Sequence, residues 1–511
     1  MALGFAITST LCLGVVSEAG AGRPNVVFFA VDDMCDWAGP LGYEQAVTPN
    51  LDRLARRGVT FTNAHTAGIY CAPSRTAIFT GRHASTTGCY TTAPYFFVDP
   101  DIRPLQVAFS DAGYRTYGAG KLFHHPEGMI DRRGWTEFFL RSQAQRESGW
   151  PLNSWEGDDV PFNDRKPYGP FNAGLERISG GLFLEWAAVP DEDEARMADT
   201  QRIEYACDTI RSAEEPFFVG VGLYAPHFPN YAPQKYFDLY DRDAIEPPPY
   251  LDDDLDDVPE PMRRQMENRR RRHQDELVRR DLLKDALHGY LASISYADAM
   301  LGRVLDALDE SGQADDTVVV FWSDHGYHHG EKGNWGKHTL WERTSSVPFL
   351  WAGPGIARGE VVDTTASLID MFPTFVDLCG LEADDTLEGV TLADTLRDPA
   401  SAEDRFVLLP SNRPDEFAVF DQDWRYIRYQ NGTEEFYDLT ADAHEWHNLA
   451  NDPEYASTMR AVAAHGPTSF APMAPDKPKL KLIVEGESYR WELKPAAKPK
   501  KKPAGTGRKT K

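Results

Sequence analysis

Asn25-Val26-Val27-Phe28-Phe29-Ala30-Val31 runs straight into Asp32-Asp33. This short run, apolar after its first residue and rich in Val and Phe, predicts a strand buried on both faces. The form recurs. Residues 217–223 stop at Tyr224-Ala225-Pro226-His227, and Thr317–Ser323 (T-V-V-V-F-W-S) stops at Asp324-His325-Gly326. Helical patterns separate these runs. Residues 48–58 have a Thr cap, Pro in the first turn and Gly at the end. Residues 287–308 place Leu287, Leu291, Ile294, Leu301 and Leu305 at helical spacing. Such alternation predicts an α/β fold with a large mixed, mostly parallel sheet flanked by helices. Ligands of such sheets bind beyond the carboxyl ends of the strands. Three runs ending in Asp-Asp, His and Asp-His therefore suggest one site assembled from distant segments.

The chain has 511 residues, of which 41% are hydrophobic, enough for a packed core in more than one domain. The net charge is −26, which repels phosphate backbones and excludes nucleic acid as the expected partner. No apolar run approaches the ~20 residues of a membrane span. Residues 1–21 have the form of an export signal, apolar over 3–16 and then small up to Ala19 or Ala21, although without a basic start. The expected location is periplasmic or extracellular. None of the six cysteines forms a C-x-x-C pair, which argues against zinc ribbons and thioredoxin chemistry. Residues 22–379 are expected to form the catalytic domain. Within them, 251–280 form a charged insertion, read as a solvated helix and loop. A smaller C-terminal α+β subdomain is placed at 380–485, with a hairpin around Asn431-Gly432. Residues 486–511 are read as a basic, disordered tail, since 494–511 hold eight Lys or Arg and no acid.

The most specific stretch is Cys71-Ala72-Pro73-Ser74-Arg75, continuing T-A-I-F-T-G to Gly81. Pro73 suits a first helical turn and Gly81 a helix end. A Cys at a helix N-terminus with Arg75 close by sits in positive potential. Taken alone, that predicts an activated thiolate or a group that meets an anion.

C-A-P-S-R resembles the C-x-P-S-R signature of the sulfatases, in which the Cys is oxidised to Cα-formylglycine. The stretch 113–124 (G-Y-R-T-Y-G-A-G-K-L-F-H) resembles their second signature. V-V-F-F-A-V-D-D, S-D-H-G at 323–326 and Y-D-L-T at 437–440 follow the same family order. Within the family the chain is most similar in appearance to the iduronate 2-sulfatase type, through D-H-G, G-K-L-F-H and A-P-H-F-P. The resemblance implies an alkaline-phosphatase/sulfatase-like fold and maturation by a formylglycine-generating enzyme. It also implies one Ca²⁺ held by Asp32, Asp33, Asp324, His325 and the matured Cys71, with Mg²⁺ as the alternative.

The chemistry of the residue types agrees. A sulfate ester needs a nucleophile, neutralised charge and a proton for the leaving alcohol. A hydrated aldehyde at position 71 supplies one hydroxyl to attack sulfur and a second through which sulfate is expelled. Hard carboxylate oxygens suit Ca²⁺ or Mg²⁺. Arg75, Lys121 and Lys337 add positive charge. His124 is placed near the nucleophile as a base and His227 across the pocket as an acid. His125, His328, His329 and His338 are read as structural or rim residues, and Asp36-Trp37 as a candidate pocket mouth. The expected substrate is a sulfated carbohydrate. The rivals are a small-molecule sulfatase, a phosphonate or phosphodiester hydrolase, and an unmatured sulfoglycan-binding protein.

Overall fold

The computed structural model describes residues 22–124, 130–139, 184–214, 216–382, 385–475, 479–485 and 488–495. The expected export signal, His125 and the basic stretch from residue 496 onward lie outside the described residues.

The central sheet holds, in chain order, β1 (Asn25–Val31), β2 (Gly58–Phe61), β3 (Arg115–Gly120), β4 (Glu137–Phe139), β5 (Phe217–Gly222), β6 (Thr317–Ser323), β7 (Phe349–Ala352) and β8 (Glu360–Val362). Their order across the sheet is β8-β2-β7-β6-β1-β5-β3-β4. All neighbours run parallel except β7, which is antiparallel to β2 and β6. The sheet is therefore mixed and mostly parallel, as predicted.

Every residue of β1 is buried, because its two faces feed two different cores. Val27, Phe29 and Val31 pack with the helices Ala198–Ser212 and Leu283–Ser311. Val26, Phe28 and Ala30 pack with Cys71–Thr80, Leu105–Asp111 and Met371–Cys379. This two-sided burial is what a run of apolar residues without alternation requires.

The helix predicted at 48–58 is Pro49–Ala55. Thr48 does not cap it. Its hydroxyl accepts instead from the Gly39 N–H at 2.9 Å. The cap is distant: one oxygen of Asp298 accepts from the N–H groups of Asn50 (3.1 Å) and Leu51 (2.8 Å). Gly58 does not end the helix but opens β2, where a Cβ would lie 1.8 Å from the Trp351 carbonyl oxygen. Asp298→Ala strands both buried donors and should lower unfolding free energy by roughly 1–3 kcal/mol, read by urea denaturation.

The second sheet is antiparallel, with β9 (Val407–Pro410), β10 (Phe417–Phe420), β11 (Trp424–Arg428) and β12 (Glu434–Asp438) in sequence order. Its last two strands form the predicted hairpin, turned at Gly432 with φ of 81°. The helix Ala456–Ala463 covers one face through Val462. Ala418, Phe420, Ile427 and Tyr437 on the other face pack against Ile69, Tyr70 and Ala72, beside the proposed nucleophile.

Three expectations need correcting. Leu381, Leu392 and Leu396 belong to the core of the large sheet, so 380–402 are part of the catalytic body and the subdomain starts after them. Residues 488–493, expected in a disordered tail, form a strand, Ser488–Leu493, paired antiparallel with Leu480–Glu485. The charged insertion is helix and loop as expected, but it is not solvated all round. Its helix Glu260–Arg272 buries Met262 and Met266 with Tyr70, Leu340 and Trp341. No helix among the described residues is long and apolar enough to cross a membrane. The cysteines Cys35, Cys71, Cys89, Cys207 and Cys379 are all buried and unpaired.

Candidate active site

Four neighbouring strands deliver the site from their carboxyl ends. β1 leads into Asp32 and Asp33, β3 into Lys121, β6 into Asp324 and His325, and the turn after β5 carries His227. Asp33 has φ of 63°, a strained conformation for a residue with a side chain. It is held there from both sides. Its N–H donates to Asp324 Oδ1 at 3.2 Å, and its carbonyl accepts from the Tyr290 hydroxyl at 2.8 Å.

Cys71 opens the helix Cys71–Thr80, which Gly81 closes with φ of 65° and an N–H bonded to the Ala77 carbonyl. The Ser74 hydroxyl in the first turn donates to the Asp324 carbonyl at 2.6 Å, and the Thr66 hydroxyl donates to the same oxygen. These bonds tie the nucleophile's helix to the end of β6.

Three carboxylates face three cationic side chains. Arg75 is fully buried and donates Nε to Asp324 Oδ2 (2.8 Å) and Nη2 to Asp32 Oδ1 (3.2 Å) and the Val31 carbonyl (3.2 Å). The positive charge expected of it is therefore spent on bracing the carboxylates. Lys121 pairs with Asp32, and its Nζ stands 3.6 Å from Cys71 Sγ. Lys337 Nζ lies 2.5 Å from Asp33 Oδ1 and 3.4 Å from the same sulfur. His325 Nε2 is 3.3 Å from Sγ and 3.2 Å from Asp33 Oδ1. Its Nδ1 is 2.9 Å from the Gly326 carbonyl, an acceptor only, so in the neutral ring Nε2 presents its lone pair to the cluster.

Burial opposes ionisation of Asp32, but Lys121, His227 and Arg75 outweigh it and hold the carboxyl well below its usual range. For Asp33 burial wins over Lys337 and His325, and the pKa rises. Its Oδ2 is buried without a hydrogen bond, and His227 Nε2 stands 3.5 Å away. A buried carboxylate oxygen left unsatisfied is costly unless a cation or donor meets it. One ligand atom each of Asp32, Asp33, Cys71 and His325 lies within 4.8 Å of the others, and no second such group occurs among the described residues. Hard oxygens and an orphaned one fit a Ca²⁺ or Mg²⁺ ion. Asp324 borders this set, with Oδ1 3.6 Å from His325 Nε2.

The activated thiolate predicted from the helix N-terminus is not what the site makes. Burial, with Asp32 adding to it, outweighs Lys121 and Lys337 and pushes the Cys71 thiol up, so it stays protonated. Burial, then Lys337, holds His227 neutral, and burial, then Lys121, does the same for His124. His338 is half-buried, its ring 4.7 Å from that of Tyr70. His328 bonds Thr339 at 2.9 Å, and His329 is enclosed by Tyr290 and Trp37. Trp37 does not line a pocket mouth. It is buried and stacked on Tyr43 at 4.6 Å, while Asp36 pairs with Arg343. Thr66, Ser74 and Tyr290 position the site without having been singled out in the sequence.

Comparison with known proteins agrees with this geometry. The family described as Sulfatase matches residues 24–381, and the one described as N-sulphoglucosamine sulphohydrolase, C-terminal, matches 330–465. A Sulfatase of Formosa agariphila is 36% identical over 463 residues, covering 88% of this chain and 87% of that one. Human Iduronate 2-sulfatase is 28% identical over 422 residues, 76% of this chain and 72% of the relative. Among solved structures, the phosphonate monoester hydrolase of Agrobacterium radiobacter superposes with a TM-score of 0.67 at 20% identity, over 86% of this chain and 94% of that one. At that identity the likeness is one of fold.

Proposed function

The chain belongs to the sulfatase family, whose reaction is hydrolysis of sulfate esters, and from that premise we propose that it desulfates a sulfated sugar or polysaccharide, using a formylglycine made from Cys71 and one divalent cation, Ca²⁺ or in its place Mg²⁺. The observation that carries this is a buried Cys71 set between two lysines, beside a carboxylate oxygen that no hydrogen bond reaches among the described residues. The resemblance of C-A-P-S-R to the family signature supports maturation of this residue by a formylglycine-generating enzyme. The matured residue supplies two hydroxyls on one carbon, and the cation supplies charge against the sulfate oxygens.

This chain's own residues do the rest. Asp32, Asp33 and His325 hold the cation, with Asp324 at its edge. Arg75 fixes Asp32 and Asp324 in place. Lys121 and Lys337 flank the nucleophile and neutralise the incoming sulfate. His227 keeps Nε2 toward the pocket because its Nδ1 is bonded to the Phe228 carbonyl. Burial first and Lys337 second keep His227 neutral, and an anionic ester arriving by Lys337 offsets the second of these. The ring then protonates more readily and can donate to the leaving oxygen. His124 is the base on the other side, its Nδ1 buried and unbonded.

Mass spectrometry of the peptide carrying residue 71, from protein coexpressed with the maturing enzyme, should show aldehyde in place of thiol. The same preparation should release sulfate from sulfated oligosaccharides. Unmodified Cys71 with retained glycan binding would establish the binding-protein rival instead. Turnover of phosphonate or choline sulfate in preference to every sulfated sugar would overturn the substrate class.

A further inference from the structure

The insertion helix Glu260–Arg272 brings one guanidinium to the site that the chemistry above leaves unused. Arg269 is half-buried, and its Nη1 donates to the Lys337 carbonyl (2.6 Å) and to Asn334 Oδ1 (3.3 Å). Arg269 pairs with no carboxylate among the described residues, whereas Arg270 faces Asp252 and Asp275, and Arg271 faces Glu267. Its Nε and Nη2 bond to none of the described residues, yet they are not sealed from solvent. Lys337, whose carbonyl Arg269 holds, reaches Cys71 Sγ at 3.4 Å. The guanidinium thus stands about one lysine side chain behind the nucleophile. A Cβ at Gly336 would lie 3.8 Å from Arg269 Nη1, so the glycine leaves that side of the guanidinium open.

A half-buried guanidinium that meets no carboxylate among the described residues is unusual in a protein of net charge −26 that has acids to spare. Its planar fork matches a carboxylate or a sulfate. An acidic body also repels polyanions, so a local cation near the nucleophile is what would draw one in. We propose that Arg269 holds a second anionic group of the substrate, a carboxylate or second sulfate near the scissile sulfate ester, and so selects polyanionic glycans. This rests on the sulfatase reading above and names its substrate class.

A brace for the Lys337 loop is the competing role, and kinetics separates the two. The matured wild type, Arg269→Gln and Arg269→Lys are compared on 4-nitrophenyl sulfate and on three sets of oligosaccharides: singly sulfated neutral, sulfated with uronic acid, and multiply sulfated. The wild type should favour one of the two polyanionic sets, which identifies the second anion as carboxylate or sulfate. Arg269→Gln should lower kcat/KM on that set at least tenfold, mainly through KM, and less than threefold on 4-nitrophenyl sulfate. Arg269→Lys should recover part of the loss, and it serves alone if the Gln variant misfolds. Equal losses on all substrates, no loss on any, or no wild-type preference for a second anion would overturn the proposal. A matured wild type inactive on every sulfate ester, the aryl one included, would instead remove the sulfatase reading beneath it.

Discussion

Cys71→Ser should abolish steady-state turnover, by about a thousandfold or more in kcat, while leaving the fold intact. The loss amounts to roughly 4 kcal/mol of activation free energy. Serine is slightly smaller than cysteine, and its oxygen would meet the same two lysines, whose Nζ atoms lie 3.6 and 3.4 Å from the sulfur. It can attack sulfur once: its hydroxyl proton departs, the O–S bond forms, and the ester's alcohol leaves protonated. The sulfated serine then has no second hydroxyl through which to expel sulfate. At most one equivalent of alcohol should therefore appear, with a matching mass gain on the peptide bearing residue 71. The unmatured thiol should fail earlier, because burial and Asp32 keep it protonated. Continuous turnover by the serine variant at the wild-type rate would show that the reaction needs no second hydroxyl.

The strands that build this site could be read locally because their apolar runs carry the signal without knowledge of their distant partners. β1 and β6 occupy the predicted bounds, since a short, uniformly apolar run has few other fates. Their polar ends then place Asp32, Asp33, Asp324 and His325 together by the geometry of a parallel sheet. What failed was set at long range. Gly58 looks like a helix end, but its role comes from the Trp351 backbone almost 300 residues away. The helix N-terminus argues for a thiolate at Cys71, and burial, with Asp32 from another strand adding to it, reverses it. Arg-rich composition hides Met262 and Met266, four apart, which mark a buried stripe on the insertion helix. Tyr489, Trp491 and Leu493 alternate as a strand should, but the basic residues after them dominate the composition. Tyr290 lies three residues after Leu287 on the core face of its helix, where a hydroxyl must find a partner. That partner, the Asp33 carbonyl, belongs to a different element.

Asp33→Asn tests the cation directly, and the expected loss is again about a thousandfold in kcat/KM. Asn is among the residues best suited to the φ of 63° found there, so the backbone should tolerate the exchange. The change removes one hard anionic ligand, including the oxygen that no hydrogen bond reaches among the described residues. It also leaves Lys337 without its carboxylate and able to drift from Cys71. Lewis-acid stabilisation of the sulfate is worth several kcal/mol, and about 1.4 kcal/mol corresponds to each tenfold in rate. Activity alone would not separate a lost ion from a displaced lysine, so a second readout is needed. An ion that binds the folded state raises the melting temperature with its concentration. Calcium added to chelator-treated wild type should do so, whereas Asp33→Asn should respond only at much higher concentrations. Lys337→Ala, by contrast, should lose activity but keep the calcium-dependent rise, since all the carboxylates remain. Full activity in a verified metal-free preparation, or an equal calcium response in Asp33→Asn, would rule out a cation at this cluster.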